Sequence, residues 1–221
     1  VSGGYGDTLV HRGLSLRVNA GEVVAVVGRN GTGKTTLARL ITGDLPPTEG
    51  ALFLGDCDLS RLAAWDRSRL GVVAMPQTDM VFGGLTVAEN LALSGGTEAQ
   101  HQAVIGHFPR LAERSGQMAG SMSGGERKIL GFARAMLMPG AVVVLDEPSE
   151  GVQPENIQHM SALIAERKQG GVATLLLEQN ITMVTTLADR VIALGSSGIL
   201  FEINDKSEIS REQVLAALAI S

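Results

Sequence analysis

Cysteine is nearly missing from this chain of 221 residues: Cys57 stands alone, so no internal disulfide framework can form, and a reducing compartment fits. Its setting, Gly55-Asp56-Cys57-Asp58, reads as a turn between short strands. Missing too is any apolar run near the roughly 18–20 residues that cross a membrane, or a basic-then-apolar signal at the start. Positive charge is not in excess: the net charge is −5, so no global basic field invites nucleic acid. The four histidines (His11, His101, His107, His159) sit apart in sequence, without a cysteine or carboxylate pattern that suggests zinc. Repeats and low-complexity tracts are absent. The chain is therefore expected to be soluble and cytoplasmic. Because it opens at Val1, a few residues, including part of a first strand, are expected to precede it.

What is present is a globular composition, 44% hydrophobic and 19% charged, enough for one domain with a real core. The 28 glycines point to tight loops and close backbone approaches. Strand-like apolar runs cover residues 22–27, 71–75, 141–145, 172–177, 191–194 and 199–203, with a strand–turn segment around 51–54. Helical spacing covers 34–41, 87–93, 126–138 and 155–168; polar helix-like sequence runs over 59–70, and a last helix capped by Ser210 and Gln213 reaches Ile220. Between 78 and 138 helical patterns dominate. The expected fold is α/β, a parallel-sheet core interrupted by an inserted α-helical subdomain. Its expected divisions are 1–77 and 139–203 for the core, 78–138 for the helical part and 204–221 for the last helix.

Gly28-Arg29-Asn30-Gly31-Thr32-Gly33-Lys34-Thr35 fits the pattern G-x-x-x-x-G-K followed by serine or threonine, with a strand before it and a helix after. The glycines let the backbone curl so that successive N–H groups point at phosphate oxygens. Lys34 reaches the β- and γ-phosphates, the Thr35 hydroxyl ligates Mg²⁺, and the helix that carries Thr36 aims its positive end at the same anion. The bland alternative, a glycine-rich turn with an incidental lysine, leaves the flanking strand and helix unexplained. Residues 141–147, AVVVLDE, supply a buried strand with Asp146 at its tip to hold Mg²⁺ and Glu147 beside it to orient and deprotonate a water. Acidic strand ends are common, and this run has meaning only through its pairing with the glycine-rich loop.

Met122-Ser123-Gly124-Gly125-Glu126 then opens an amphipathic helix just ahead of AVVVLDE, a second anion site that uses no lysine. Two such sites make sense when the second serves a nucleotide held by another subunit. Here the sequence resembles the ATPase subunit of ABC transporters over essentially its whole length, with MSGGE in place of the family's LSGGQ. The resemblance implies that Tyr5 stacks on adenine and that Gln77 contacts Mg²⁺ and senses transmembrane permease subunits. It also implies that Asp146 and Glu147 are the Mg²⁺ aspartate and the catalytic glutamate, and that residues 149–153 form a dimer-contact loop. The fold it implies is a P-loop (RecA-like) parallel-sheet core with a small antiparallel β subdomain and the α-helical signature subdomain inserted, and ATP and Mg²⁺ are the implied cofactors. A second ATPase subunit and the permeases are the implied partners, and the implied place is the inner face of the membrane. Leu93-Ser94-Gly95-Gly96-Thr97 imitates the signature, but lacks the apolar periodicity of 129–137 and reads as a helix terminator.

The departures from the family pattern are informative. Glu126 replaces the signature glutamine, as a solvent-facing cap, and Gln153 stands where many relatives carry aspartate. In LLLEQN (175–180), Gln179 stands where most relatives place a switch histidine. An amide can only give or accept hydrogen bonds, so the implied role for Gln179 is contact with the γ-phosphate or the attacking water. SEGVQP and LLLEQN together resemble the second ATPase of importers for branched-chain amino acids and their urea or amide relatives. The alternatives are a non-transport ATPase of the superfamily and a nucleotide-gated module with weak hydrolysis. Long coiled coils have no room in 78–122, and MSGGE disfavours a P-loop kinase. Trp65 is expected to pack beside Gln77, Met118, Met122, Met136 and Met138 to be core or helix-face residues, and Arg61, Arg67 and Arg69 to form a solvated face.

Overall fold

The computed structural model describes residues 1–78 and 80–220; Asp79 and Ser221, inside the predicted helical segment and last helix, lie outside the described residues. A hairpin comes first, β1 (Gly3–Tyr5) against β2 (Thr8–His11), too short to leave a pattern in the sequence. β3 (Val23–Val27) reads VVAVV and is buried throughout, as a parallel strand covered on both faces must be. α1 (Lys34–Thr42) follows and ends on Gly43, whose left-handed backbone returns its N–H to the Arg39 carbonyl. A two-residue ladder, β4 (Phe53–Leu54) with β5 (Cys57–Asp58), is the small antiparallel element, and Gly55-Asp56 is its turn. α2 (Ala64–Arg69) leads to β6 (Val72–Met75).

The helical segment contains α3 (Val87–Ala92), α4 (Glu98–His107), α5 (Pro109–Glu113) and α6 (Gly124–Leu137). Alternation then resumes with β7 (Val142–Asp146), α7 (Pro154–Gln169), β8 (Ala173–Leu177), α8 (Ile181–Leu187), β9 (Arg190–Gly195), β10 (Gly198–Ile203) and α9 (Arg211–Ile220). The main sheet runs β10-β9-β3-β8-β7-β6, parallel except for β10. Period-two alternation sends Val24 and Val26 into a layer with Leu37, Leu175 and Ile192, while Ala25 and Val27 pack with Val184, Val214 and Ala217. A third cluster joins the sheet to the helical segment through Phe132, Leu130, Leu145, Met160 and Ile164. Each such side chain contributes about 1.5–3 kcal/mol by leaving water, so α6 is fastened to the sheet by its apolar face.

The expectations for Arg67, Trp65 and Met118 need correction. Arg67 is not on a solvated face: it is 1% exposed and donates to the carbonyls of Leu40 (2.6 Å), Ile41 (2.9 Å) and Leu62 (2.9 Å), satisfying the end of α1. Trp65, two positions earlier on a helix that turns about 100° per residue, therefore faces outward, 71% exposed, with the Arg69 guanidinium 5.8 Å from its ring. His107 and His159 are distant in sequence but meet where α4 crosses α7, Nδ1 to Nδ1 at 3.3 Å. Among the described residues no group of three or more His, Cys, Asp or Glu is arranged to hold a metal ion by itself. Met122 and Met136 are buried and Met138 packs against the core, whereas Met118 is 45% exposed.

Candidate active site

Strand order makes the site. β3, β8, β7 and β6 lie side by side, and the register sets Leu177 opposite both Val26 and Asp146. The segments leaving their carboxyl ends, residues 28–33, Gln179, Glu147 and Gln77, are thereby delivered to one rim.

The loop 28–33 is shaped for close approach. A Cβ on Gly28 would lie 2.5 Å from the Leu194 carbonyl oxygen, and one on Gly33 2.7 Å from His11 Cε1, at a backbone φ of 97° that side chains disfavour. His11 supports this loop from below, its Nε2 2.9 Å from the Gly33 carbonyl oxygen; burial holds the imidazole below its usual range, against the raising effect of that backbone contact. α1 starts without a side-chain cap or an acid in its first turn, whereas α3, α4 and α6 each carry a full capping box. The amide groups at the start of α1 are thus left to an external anion. Asn30 and Arg29 are exposed on the loop, Thr32 is buried within it, and Thr36 is buried in the first turn of α1.

Lys34 is 4% exposed; its Nζ donates to the carbonyls of Gly28 (2.8 Å) and Arg29 (3.1 Å) and faces Glu147 Oε1 at 3.1 Å. Asp146 is fully buried. Burial pushes its carboxyl up, a hydrogen bond from Thr35 opposes this, Glu147 reinforces it, and Lys34 and Lys128 pull it back down. Asp146 Oδ1 has no hydrogen-bond partner among the described residues. A buried carboxylate oxygen left open beside a threonine hydroxyl fits a hard cation such as Mg²⁺.

Glu147 is the one non-glycine with positive φ (48°) among the described residues, fixed by its N–H to the Leu177 carbonyl at 2.9 Å. Such a backbone costs on the order of 1–2 kcal/mol and holds the side chain where Lys34, Gln77 and Gln179 reach it. Gln179 Nε2 donates to Glu147 Oε1 (2.7 Å) and to Asn30 Oδ1 (2.8 Å), while Gln77 Nε2 donates to Glu147 Oε2 (3.1 Å). Sequence reasoning passed over Glu178. It is 2% exposed and accepts from the backbone N–H groups of Ser149 (2.9 Å), Gln179 (2.6 Å) and Asn180 (2.7 Å), so it fixes two loops at once. Asn180 caps α8 through the Met183 N–H. Of the three polar residues closing LLLEQN, two serve the backbone and Gln179 alone reaches the site.

The other predicted residues lie apart from this cluster. Ser123 caps α6: its hydroxyl and N–H both bond the Glu126 carboxylate at 2.9 Å, and Arg114 pairs with that carboxylate at 2.7 Å. Hydrogen bonds from the Ser123 N–H and hydroxyl hold the Glu126 carboxyl low, with Arg114 and Arg110 assisting. Glu126 is thus the cap expected from sequence, though partly covered rather than open to solvent. The cavity beside Ser123 and Gly125 is lined by Arg110, Gly151 and Gln153 and by no residue of the loop 28–33. Ser123 and Gly124 are exposed. The imitation at 93–97 is turned inward: Ser94 is 4% exposed and donates to the Asn90 carbonyl at 3.0 Å, and Thr97 caps α4. Tyr5 ends β1, 45% exposed, its hydroxyl accepting from Arg39 at 3.0 Å.

Residues 11–150 match the family described as ABC transporter. The chain belongs to that family. The high-affinity branched-chain amino acid transport ATP-binding protein BraG of Pseudomonas aeruginosa is 35% identical over 90% of this chain and 88% of its own. The lipopolysaccharide export system ATP-binding protein LptB of Escherichia coli K12 is 30% identical over 95% and 90%. Among solved structures, an ATP binding subunit of an ABC transporter shares the fold at a TM-score of 0.85, with 24% identity over 99% of this chain and 96% of the other. A nucleotide-free ATP-binding cassette follows at 0.81, with 25% identity over 98% and 92%. As an ABC ATPase, the chain binds ATP and couples its hydrolysis to transport. No helix among the described residues is long and apolar enough to cross a membrane.

Proposed function

We propose that this ABC ATPase powers an importer of branched-chain amino acids or of small amides such as urea. The convergence of Lys34, Gln77 and Gln179 on Glu147 carries the catalytic part of this reading. The substrate class is supported by SEGVQP and LLLEQN and by BraG, whose identity exceeds that of the LptB relatives. In this reading the amides of Gly28, Arg29, Asn30, Gly31, Thr32 and Gly33, with Lys34 and Thr36, hold the phosphates, and Tyr5 stacks on adenine. Thr35, Asp146 and Gln77 would hold Mg²⁺, which when bound would neutralise phosphate charge. Glu147 takes the proton of the water that attacks the γ-phosphate. Ser123, Gly124, Gly125 and Glu126 complete the site of a second ATPase subunit. Residues 78–138 move as the helical subdomain against the core, the last segment being 204–221, and the protein sits on the inner face of the membrane through its permease partners. The test is reconstitution with permease subunits and a binding protein of a branched-chain amino acid or urea importer. Leucine or urea, delivered by that binding protein, is expected to stimulate ATP turnover; no response to either sinks the substrate class.

Gln179 defines the second expectation. An amide does not titrate near neutral pH, so turnover is expected to lack a histidine-type step. Gln179→Ala removes a 2.7 Å hydrogen bond to the base and should lower turnover about tenfold. Gln179→His should recover part of that loss and add a pH step near about 6.5. Near-parental turnover and coupling in both variants would leave Gln179 without a role in the switch.

A further inference from the structure

Glu150 lies on the loop after β7, three residues beyond Glu147, and its carboxylate meets two other segments. Its Oε2 accepts a hydrogen bond from Gln77 Nε2 at 3.1 Å and faces Lys128 Nζ at 3.7 Å. The same Gln77 nitrogen gives its other hydrogen to Glu147 Oε2, also at 3.1 Å. Both amide hydrogens are therefore committed to carboxylates, and the carbonyl oxygen of Gln77 is left for a metal ion or water.

Lys128 belongs to α6, the helix capped by Ser123, and its side chain is 6% exposed. A buried ammonium needs a counter-charge, and Glu150 stands within ion-pair distance. Glu150 is the opposite case: its side chain is 59% exposed. A carboxylate so placed would sample many rotamers in water if nothing held it. Both lysines act on buried Asp146; beyond that, Lys34 stands against Glu147 and Lys128 against Glu150, and the Gln77 amide bridges these two carboxylates.

We propose that Glu150 is a positioning residue which, anchored by Lys128, holds Gln77 onto Glu147 and so ties the orientation of the base to the seating of α6. The inference rests on the reading of Glu147 as base. Displacement of α6 from the loop after β7 lengthens the Lys128–Glu150 contact, frees Glu150 into solvent and removes one of the two anchors of Gln77. Gln77 then hangs on Glu147 by a single hydrogen bond and no longer fixes its direction. The base is fully oriented only when the helix that addresses the partner subunit's nucleotide is in place. Lys128 and Glu150 thus carry information from one nucleotide site to the other without touching nucleotide.

The test uses the full chain assembled with its permease subunits and Mg·ATP, comparing Glu150→Gln, Lys128→Met, the double variant and Lys128→Arg. Glu150→Gln keeps an acceptor for Gln77 and removes only the charge that Lys128 holds. Each single loss is expected to lower kcat about five- to tenfold while KM for ATP moves less than about twofold. The double variant should be no slower than the slower single one, because the two residues act as one unit. Lys128→Arg, which keeps the charge, should recover most of kcat. Glu150 is exposed, so the unfolding midpoint of Glu150→Gln should match the parent, which a merely structural role does not explain beside a fallen kcat. If Lys128→Met does not fold, Glu150→Gln against Glu150→Asp carries the same comparison. Parental kcat in Glu150→Gln, a loss confined to KM, or additive losses in the double variant overturns the proposal. Glu147→Gln is measured alongside. An inactive Glu147→Gln with a parental Glu150→Gln removes the tie and leaves the base, whereas a parental Glu147→Gln removes the base and the tie with it.

Discussion

Replacing Glu147 by Gln is expected to lower ATP turnover in the assembled transporter by at least about a hundredfold while ATP remains bound. The substitution is nearly isosteric. The side chain at this position is not needed to hold the turn, because the left-handed backbone is fixed by the N–H bond to the Leu177 carbonyl. What disappears is the only feature an amide cannot supply, a negative charge able to accept a proton. The same charge sits 3.1 Å from Lys34, whose ammonium the γ-phosphate needs. Before nucleotide arrives, Glu147 therefore competes for Lys34. Removing the charge is expected to tighten ATP binding while it stops turnover. Phosphate release and equilibrium nucleotide binding, measured on the same preparation, check both halves. Parental turnover would show that Glu147 is not the base.

How much of this could be read before the structure depends on whether the cause was local. Lys34, the loop before it and Asp146 were legible because each motif carries its own context: a buried strand, then a turn, then a helix or an acid. The cap of the last helix was legible for the same reason, since Ser210 and Gln213 lie three positions apart and the Gln213 N–H donates to the Ser210 hydroxyl at 3.2 Å. Arg67 was misread because its partners, Leu40 and Ile41, lie 27 and 26 residues away, and no pattern on a six-residue helix shows which face turns inward. Glu178 was passed over because its task, fixing Ser149 across the rim, exists only once β7 and β8 are neighbours. His11 belongs with these: a lone histidine in a short strand says nothing of the loop that will rest on it. Sequence showed which groups could act; strand order decided which of them meet.

Lys34→Ala should show the opposite pattern to Glu147→Gln: turnover reduced on the order of 10²–10³-fold because ATP no longer binds productively. Three acceptors lose a donor at once, the carbonyls of Gly28 and Arg29 and the Glu147 carboxylate, although Thr32 still donates to the Arg29 carbonyl. Without nucleotide the loss should also appear as stability. Glu147 is 8% exposed, and a carboxylate so buried, deprived of its ammonium, costs about 3 kcal/mol. The carboxylate retains hydrogen bonds from Gln77 and Gln179, which cannot neutralise it. Adding Glu147→Gln to Lys34→Ala removes the orphaned charge, so the double variant should regain most of the lost stability while staying inactive. Thermal unfolding without nucleotide reads this directly. If the double variant melts no higher than Lys34→Ala, the carboxylate at 147 is not what makes the single variant unstable. The Lys34–Glu147 pair would then be too weak to compete with ATP, and the tighter nucleotide binding expected of Glu147→Gln would have no source.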